Sequence, residues 1–187
     1  MEKKPKEALV DQEIREKILA EYCDGKVIAE VTDVSRDFYE KSRYGEPLQK
    51  KFQYSLVETL YLVERGKMQI KKGNKELSFD QLLKFARKRE ANFFVRYATF
   101  KDMRNRGYIV KTALKFGADF RVYDRGVKPG DDHAKWIMYP ISETGVCSWY
   151  EFSAKNRVAH STRKRLLIAV VDEEEDVTYY EIRWIRP

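Results

Sequence analysis

The sequence predicts an α+β/α/β fold in two domains, a small mixed α/β domain over residues 1–90 and a C-terminal α/β domain over residues 91–187. Three observations support this prediction. The first half contains two capped helix starts, the second half contains strand-like segments between helices, and the character of the chain changes after Glu90. With 187 residues, the chain is long enough for one large domain or two small ones.

The first half opens with a predicted helix, IREKILAEYC, at residues 14–23. The next segment, KVIAEVTD at residues 26–33, alternates as a strand does. Another strand-like segment, KMQIK, leads to a turn at Gly73 and Asn74. These segments predict a small mixed domain that carries no chemistry of its own.

The cleanest helix of the first half is SLVETLYLVERG. Ser55 occupies the cap position, Glu58 completes a capping box, and Gly66 ends the helix. A second capped start, at Ser78, leads SFDQLLKFARKRE. One face of the first helix is apolar, so we expect it to pack against a core; this stripe consists of Leu56, Leu60 and Val63.

The second half begins with a basic amphipathic helix, NFFVRYATFKDMRNRG, which is expected to end at Gly107. The elements that follow are the strands YIVKTALKF, ADFRVYD and AKWIMYP, a helix over about residues 149–163, the strand LLIAVVD, the acidic turn DEEED and the strand VTYYEIRWI. This order of helix, strands, helix and strands is typical of an α/β or α+β domain.

Composition narrows the class of protein. The formal net charge of +7 favours a polyanionic partner such as RNA or DNA, although surplus surface lysines would give the same charge. No apolar run approaches the roughly 20 residues of a membrane span, and MEKKPKEALV lacks the pattern of a signal peptide. Cys23 and Cys147 lack the spacing of metal ligands, so we expect free thiols in a reducing cytoplasm.

The stretch FRVYDRGVKPGDDHAKW, residues 120–136, combines a tyrosine, a Pro-Gly turn and one of the two histidines. If FRVY is a strand, its apolar residues mark the core side, which leaves Tyr123 on the solvent or site side. His133 lies in a loop held by two strands, a common position for functional residues. This geometry permits a pair of Tyr123 and His133 but does not require one.

The second cluster is NRVAHSTRKRLLIAVVD. On a helix, Arg157, His160 and Lys164 would line one stripe, and for His160 we favour a polar helix face without function. The three consecutive cations at residues 163–165 form either a phosphate-facing patch or a solubilising edge, and spacing alone does not decide between them.

Tyr123, His133 and one lysine could cleave RNA without a metal if they converged on a phosphate. The neighbouring 2′-hydroxyl would attack, which requires a base, an acid for the leaving 5′-oxygen, and a cation for the charged phosphorane. Histidine suits the acid role. Tyrosine has an ordinary pKa of about 10, so a tyrosine base needs nearby cations, for which the candidates are Arg121, Arg125 and Lys164.

The motifs FRVYDRGVKPGDDHAKW, RVAHSTRKRLLIAVVD and VTYYEIRW resemble the archaeal tRNA-splicing endonucleases over the whole C-terminal half, and SLVETLYLVERGK resembles their N-terminal domain. The resemblance implies a C-terminal nuclease domain with a restriction-endonuclease-like central sheet. It implies that Tyr123 is the general base, His133 the general acid and Lys164 the transition-state cation. Cleavage at both ends of an intron in precursor tRNA would leave 2′,3′-cyclic phosphate and 5′-hydroxyl ends, with no metal and no cofactor.

The resemblance also implies how the substrate is bound and how the protein assembles. The substrate would be a bulge-helix-bulge fold recognised by shape, with a flipped base held by Arg157 and Arg183. VTYYEIRWI would pair across a two-fold axis, and an acidic loop would dock on another dimer; this loop consists of Asp172, Glu173, Glu174, Glu175 and Asp176. A homotetramer is the expected assembly, and a catalytic subunit of a heterotetramer is the alternative.

Two other functions remain open at this point. A metal-dependent nuclease would use carboxylates from Asp119, Asp131 and Asp132, together with the E-x-x-x-K pattern of Glu151 and Lys155. A binding subunit would hold the bulged RNA with a steep salt dependence and leave it uncut.

Overall fold

The computed structural model describes residues 17–23 and 25–185. The chain divides into two compact units, unit 1 up to Arg89 and unit 2 from Glu90. None of the helices in the described ranges has both the length and the apolar character that crossing a membrane requires.

Within the described residues, unit 1 is a six-stranded sheet with three helices, in the strand order β3-β4-β2-β1-β5-β6. Its elements are β1 (Ile18–Cys23), β2 (Lys26–Glu30), α1 (Asp33–Ser42), β3 (Glu46–Leu48), β4 (Lys51–Tyr54), α2 (Leu56–Glu64), β5 (Met68–Lys72), β6 (Lys75–Glu76) and α3 (Phe79–Arg89). The β1 and β5 strands pair in parallel, and the other neighbours pair antiparallel.

The two helices of unit 1 for which the sequence predicts a cap begin where predicted, and α1 has a further, unpredicted capping box at Thr32. The Ser55 hydroxyl accepts from the Glu58 amide, while the buried Glu58 carboxylate accepts from the Ser55 amide at 3.0 Å. Ser78 and Gln81 form the same reciprocal pair at the start of α3. The apolar surface of α2 is wider than the predicted stripe, because Val57, Thr59 and Leu62 are buried as well as Leu60.

The predicted helix over residues 14–23 is wrong within the described residues, since Ile18–Cys23 forms β1. Residues 14–16 lie outside the described ranges. Burial alternates along β1, with Ile18, Ala20 and Tyr22 facing the core. Pairing with β2 on one side and β5 on the other satisfies the backbone, and this tertiary context overrides the helical preference of a segment rich in Glu and Lys.

Unit 2 is a five-stranded mixed sheet in the order β11-β10-β9-β8-β7. Its elements are α4 (Phe93–Asn105), β7 (Ile109–Thr112), a 3₁₀ turn (Leu114–Phe116), β8 (Phe120–Tyr123), β9 (Trp136–Ser142), α5 (Trp149–Ser161), β10 (Arg165–Val171) and β11 (Val177–Ile182). Only β9 and β10 pair in parallel, and α5 is the crossover between them. The predicted strand YIVKTALKF ends early, at Thr112, because the 3₁₀ turn follows.

Helices cover both faces of the unit 2 sheet. On one face, α4 packs Phe100 against Phe120, with ring centroids 6.0 Å apart. On the other face, Ala159 of α5 packs in a buried cluster with Ile137 and Leu166. The central strands are therefore mostly buried along their middle, although Arg121 of β8 and Pro140 of β9 are partly exposed.

Candidate active site

The sheet register of unit 2 brings two predicted site residues to a common end. Val122 of β8 pairs with Trp136 of β9, and Trp136 pairs in turn with Arg165 of β10. Tyr123 follows Val122, whereas Lys164 precedes Arg165. Because β8 runs antiparallel to β9 and β9 runs parallel to β10, Tyr123 and Lys164 lie at the same end of the sheet. Their backbones are two strand spacings apart, or about 10 Å.

The two residues also share a face. Val122 and Phe120 lie on the face covered by α4, so alternation turns Tyr123 toward the face covered by α5. Register pairing puts Arg165 on the α4 face, and Lys164, one residue earlier, is therefore on the α5 face. A ligand at this end of the sheet, on the α5 side, would lie between the two side chains.

The alternation along FRVY is as predicted, and of the two sides expected for Tyr123, solvent or site, the solvent side is excluded. Tyr123 keeps only 5% of its surface exposed, and Arg121 is half-buried. This low exposure shows that other residues pack over this end of β8, on the side opposite Phe120 and Val122. Packing thus holds the tyrosine ring in place.

The cations that were candidates for supporting a tyrosine base occupy different positions. The guanidinium carbon of Arg121 lies 5.9 Å from the centroid of the Tyr123 ring. Arg125 lies over a different ring, that of Tyr108, at 4.9 Å. Arg121 is therefore the arginine of the two that the structure brings to Tyr123.

Lys164 lies beyond the helix, so the predicted stripe with Arg157 and His160 on one helix face is wrong. The α5 helix ends at Ser161, and Arg163 adopts a left-handed conformation with φ of 56°. The Arg163 amide donates to the His160 carbonyl and the Lys164 amide to the Ala159 carbonyl, the pattern of a Schellman cap. The Lys164 ammonium donates to the Thr162 carbonyl at 2.8 Å, a favourable position for a cation at a helix C-terminus.

Replacing Arg163 with glycine is expected to stabilise unit 2 by about 0.5–1 kcal/mol, because the left-handed conformation costs an L-residue about 1–2 kcal/mol and the backbone entropy that glycine loses on folding offsets about half of this. The free energy of unfolding, measured in urea, checks this. Arg163→Ala is the matched control, since it removes the same charge and keeps the strain. Equal stability of the two variants would contradict the argument.

His133 lies in the loop between β8 and β9, on the stem that leads to the end of the sheet described above. It is exposed, and its backbone amide donates to the Asp132 carboxylate at 2.6 Å. Two residues later, the Lys135 amide donates to the Val122 carbonyl at 2.9 Å. The backbone of His133 is therefore near the end of the sheet that carries Tyr123 and Lys164.

The predicted base-binding arginines are not brought together. Arg157 of α5 lines a pocket of about 300 Å³ with Ser153, Asn156 and Trp184, a volume at the lower end of small-ligand sites. Arg183 pairs instead with Glu181 at 3.0 Å.

Glu181 belongs to a different cluster, on the α4 side of the sheet. Its carboxylate accepts from the Trp136 indole at 2.8 Å and pairs with Arg165 at 3.1 Å. The Trp136 hydrogen bond, with Arg165 and Arg183, lowers the pKa of Glu181. Arg183 is thereby held by a carboxylate that stays ionised at neutral pH.

Trp184 is a candidate that the sequence reasoning missed. Leu166 pairs with Ile182, and continuing this register brings Trp184 level with Lys164. Its ring is 49% exposed and meets His160 edge-on at 4.4 Å between centroids. The sequence signal was the alternation along YYEIRW, which separates Arg183 from Trp184 and assigns only Trp184 to the α5 face.

The acidic segment of residues 172–176 forms the turn between β10 and β11. Asp172 organises it, because its carboxylate accepts from the amides of Glu174 and Asp176 at 3.0 and 2.9 Å. The Glu173 amide donates to the Glu143 side chain at 3.1 Å. The remaining acidic side chains of the turn are exposed.

The carboxylates considered for a metal site have other contacts. Asp119 pairs with Arg96 at 2.8 Å, while burial raises its pKa. Glu151 caps α5 through Ser148, whose backbone and side chain lower the pKa of this carboxyl. Within residues 17–23 and 25–185, no three His, Cys, Asp or Glu side chains are grouped as a metal ion would need.

Comparison with known proteins matches both units. A sequence profile for the catalytic C-terminal domain of tRNA intron endonuclease matches residues 93–179, and one for its N-terminal domain matches residues 18–83. A tRNA-splicing endonuclease of Thermococcus onnurineus is 40% identical over 173 residues, covering 92% of this chain and 99% of the relative. One from Methanothermobacter thermautotrophicus is 42% identical over 164 residues, covering 88% and 95%.

A third relative, from Nanoarchaeum equitans, is a tRNA-splicing endonuclease that is 42% identical over 138 residues, covering 71% of this chain and 88% of the relative. The family resemblance inferred from the motifs is confirmed by these matches, and so is the prediction of an endonuclease. The chain belongs to the tRNA intron endonuclease family.

Proposed function

We propose that this protein excises introns from precursor tRNA by cutting at both intron boundaries. The observation that supports this most is the register of unit 2, in which Tyr123 and Lys164 share one end and one face of the sheet beside the stem that carries His133. The substrate, precursor tRNA, is inferred from the names of the relatives, which are tRNA-splicing endonucleases. The net charge of +7 suits an RNA ligand.

In the proposed reaction, Tyr123 accepts the proton of the 2′-hydroxyl next to the scissile phosphate. The 2′-oxygen attacks phosphorus, and the bond to the 5′-oxygen breaks. His133 donates a proton to this leaving oxygen, while the ammonium of Lys164 stabilises the negative charge of the phosphorane. The products carry a 2′,3′-cyclic phosphate and a 5′-hydroxyl, so the bonds and protons balance without a metal ion.

The substrate is proposed to be a bulge-helix-bulge fold, with a flipped bulge base in the pocket of Arg157 and Trp184. A guanidinium plane and an indole ring both stack on nucleobases whatever their sequence. The position of Trp184 level with Lys164 puts this pocket next to the proposed phosphate site. Arg157 is retained from the sequence prediction, whereas Trp184 replaces Arg183 as the second stacking partner.

Replacing Trp184 with alanine is expected to weaken binding of a bulged precursor tRNA about 10-fold, because stacking on one aromatic side chain contributes about 1–3 kcal/mol. The maximal cleavage rate should change much less. The dissociation constant, measured by filter binding, checks this. Trp149→Ala is the control, since Trp149 is 83% exposed and does not line the pocket. An equal loss of RNA affinity in both variants would contradict the proposal that Trp184 binds the base.

The proposed reaction is tested with a bulge-helix-bulge precursor tRNA incubated with the purified protein in excess EDTA. Two cuts with 2′,3′-cyclic phosphate ends support the metal-free mechanism. Cutting that requires Mg²⁺ would overturn it and favour the carboxylates. If the RNA stays uncut both in EDTA and with Mg²⁺, the proposal that this chain cleaves RNA by itself is overturned. That result would favour a binding subunit, or a catalytic subunit that needs a different partner chain.

We further propose a homotetramer in the cytoplasm, in which β11 pairs across a two-fold axis and the acidic turn of residues 172–176 docks on another dimer. Support comes from the edge position of β11 and the exposed acids of the turn. Cys23 and Cys147 are exposed and are not joined in a disulfide, as suits a reducing compartment. The mixed sheet of unit 2, covered by helices on both faces, fits a restriction-endonuclease-like domain. Sedimentation of the purified chain distinguishes the homotetramer from a subunit that needs a second chain.

A further inference from the structure

The loop that carries His133 is closed at its neck by an ion pair. The Lys135 ammonium and the Asp124 carboxylate are 2.5 Å apart, across the base of the loop between β8 and β9. The hydrogen bond from Lys135 lowers the pKa of Asp124. The pair is therefore intact at neutral pH and is lost only as the pH falls through the lowered pKa of Asp124.

Lys135 also joins the two strands that carry the other proposed catalytic residues. Its backbone amide donates to the Val122 carbonyl, in the residue before Tyr123, and its carbonyl accepts from the Arg165 amide, in the residue after Lys164. The side chain adds a third connection, to the residue that follows Tyr123. Lys135 is thus a loop residue whose backbone is hydrogen-bonded to β8 and β10, and whose side chain pairs with Asp124 on the opposite stem of the loop.

The loop between these stems contains its own turns. The Val127 amide donates to the Asp124 carbonyl and the Asp131 amide to the Lys128 carbonyl, at 3.1 and 3.0 Å. His133 is two residues from Lys135, so its backbone position depends on how the returning stem is held. Fixing both stems at the neck limits the positions that the His133 ring can reach relative to Tyr123.

We propose that Asp124 and Lys135 form a positioning clamp that sets His133 over the leaving oxygen. The proposal rests on the function proposed above and identifies two residues that act on the reaction through His133. The ion pair is half-exposed, so it contributes little to the stability of the fold. General acid catalysis, in contrast, depends steeply on the position of the acid. The clamp therefore affects the cleavage rate and hardly affects unfolding.

The test uses Asp124→Asn and Lys135→Met in single-turnover cleavage of bulged precursor tRNA at saturating protein. We expect each variant to lower the maximal rate roughly 10-fold, with RNA affinity and the unfolding midpoint close to wild type. Lys135→Arg should recover most of the rate, because it restores the ion pair. Lys51→Met is the matched control, since it removes another exposed lysine–carboxylate pair, with Glu30 at 2.8 Å, from unit 1.

A second substrate identifies the step on which the clamp acts. A precursor tRNA with sulfur in place of the scissile 5′-oxygen releases a thiolate, which needs no proton from a general acid. With this substrate the clamp variants should cut at the wild-type rate. An equal defect on both substrates, or a wild-type rate on the oxygen substrate, would overturn the clamp. Failure of the function proposed above has a different signature, because the wild-type protein would then leave the precursor uncut, or His133→Ala would cut normally on both substrates.

Discussion

Replacing His133 with alanine is expected to lower the single-turnover rate of precursor tRNA cleavage by about 10²–10⁴-fold, the usual effect of removing a general acid. An alkoxide is a poor leaving group, so without the imidazole the 5′-oxygen must depart unprotonated or take its proton from water. The affinity for RNA should remain within about twofold, because the ring is proposed to act on the transition state and hardly on the bound substrate. The maximal rate at saturating protein measures the first effect and filter binding measures the second.

The control is a residue in the same loop without a proposed role. Lys128→Ala leaves the carbonyl that accepts from the Asp131 amide in place, so the loop should keep its turn and the variant should cut at the wild-type rate. The sulfur substrate should restore His133→Ala to nearly the wild-type rate. A His133→Ala protein that cuts the ordinary substrate normally would eliminate His133 as the acid.

Replacing Lys164 with methionine is expected to lower the maximal rate by about 10²–10³-fold, the range found when a charge-stabilising group is removed from a transition state. Methionine is an unbranched side chain of similar length, so the change is mainly one of charge. Lys164→Arg should recover part of the rate, because a guanidinium keeps the charge but spreads it over a planar fork. Single-turnover cleavage measures all three proteins.

The two catalytic variants should differ on the sulfur substrate. Charge accumulates on the phosphorane whichever atom leaves, so the defect of Lys164→Met should persist where that of His133→Ala disappears. Lys115→Met, which changes an exposed lysine at the 3₁₀ turn, is the control for loss of positive charge in unit 2. Restoration of Lys164→Met by sulfur would mean that the lysine assists the leaving group and would contradict the assignment.

Local signals in the sequence were sufficient for the helices capped by Ser55 and Ser78, because a capping box involves residues only three positions apart. Ser55 with Glu58 defines the start of α2 without help from the rest of the chain. The segment Ile18–Cys23 could not be assigned in this way, because it is a strand only by pairing with β2 and β5. The sequence shows the alternation of a strand in Ile18, Ala20 and Tyr22, but the helix-forming residues around them favoured a helix.

In the candidate site, too, the sequence predicted the local features and missed those that depend on long-range packing. The alternation along FRVY correctly separated Tyr123 from Phe120 and Val122, but the sequence could not show that Tyr123 would be buried. The helix pattern of RVAHSTRK predicted that Lys164 lies on α5. In the structure α5 ends before Lys164, because Arg163 adopts a left-handed conformation. Trp184 was missed because its place beside Lys164 depends on the register between β10 and β11, which is a long-range property.

The pairing of Lys135 with both flanking strands determines where the chain can change in length. The residues between the two stems leave and return through one neck, so insertions near Gly130 would enlarge the loop without moving the strands. One residue added between Lys164 and Arg165 would instead turn Lys164 to the opposite face, because side chains alternate with a period of two. Over evolution this loop is therefore free to lengthen or shorten, while Lys164 has to stay directly before β10.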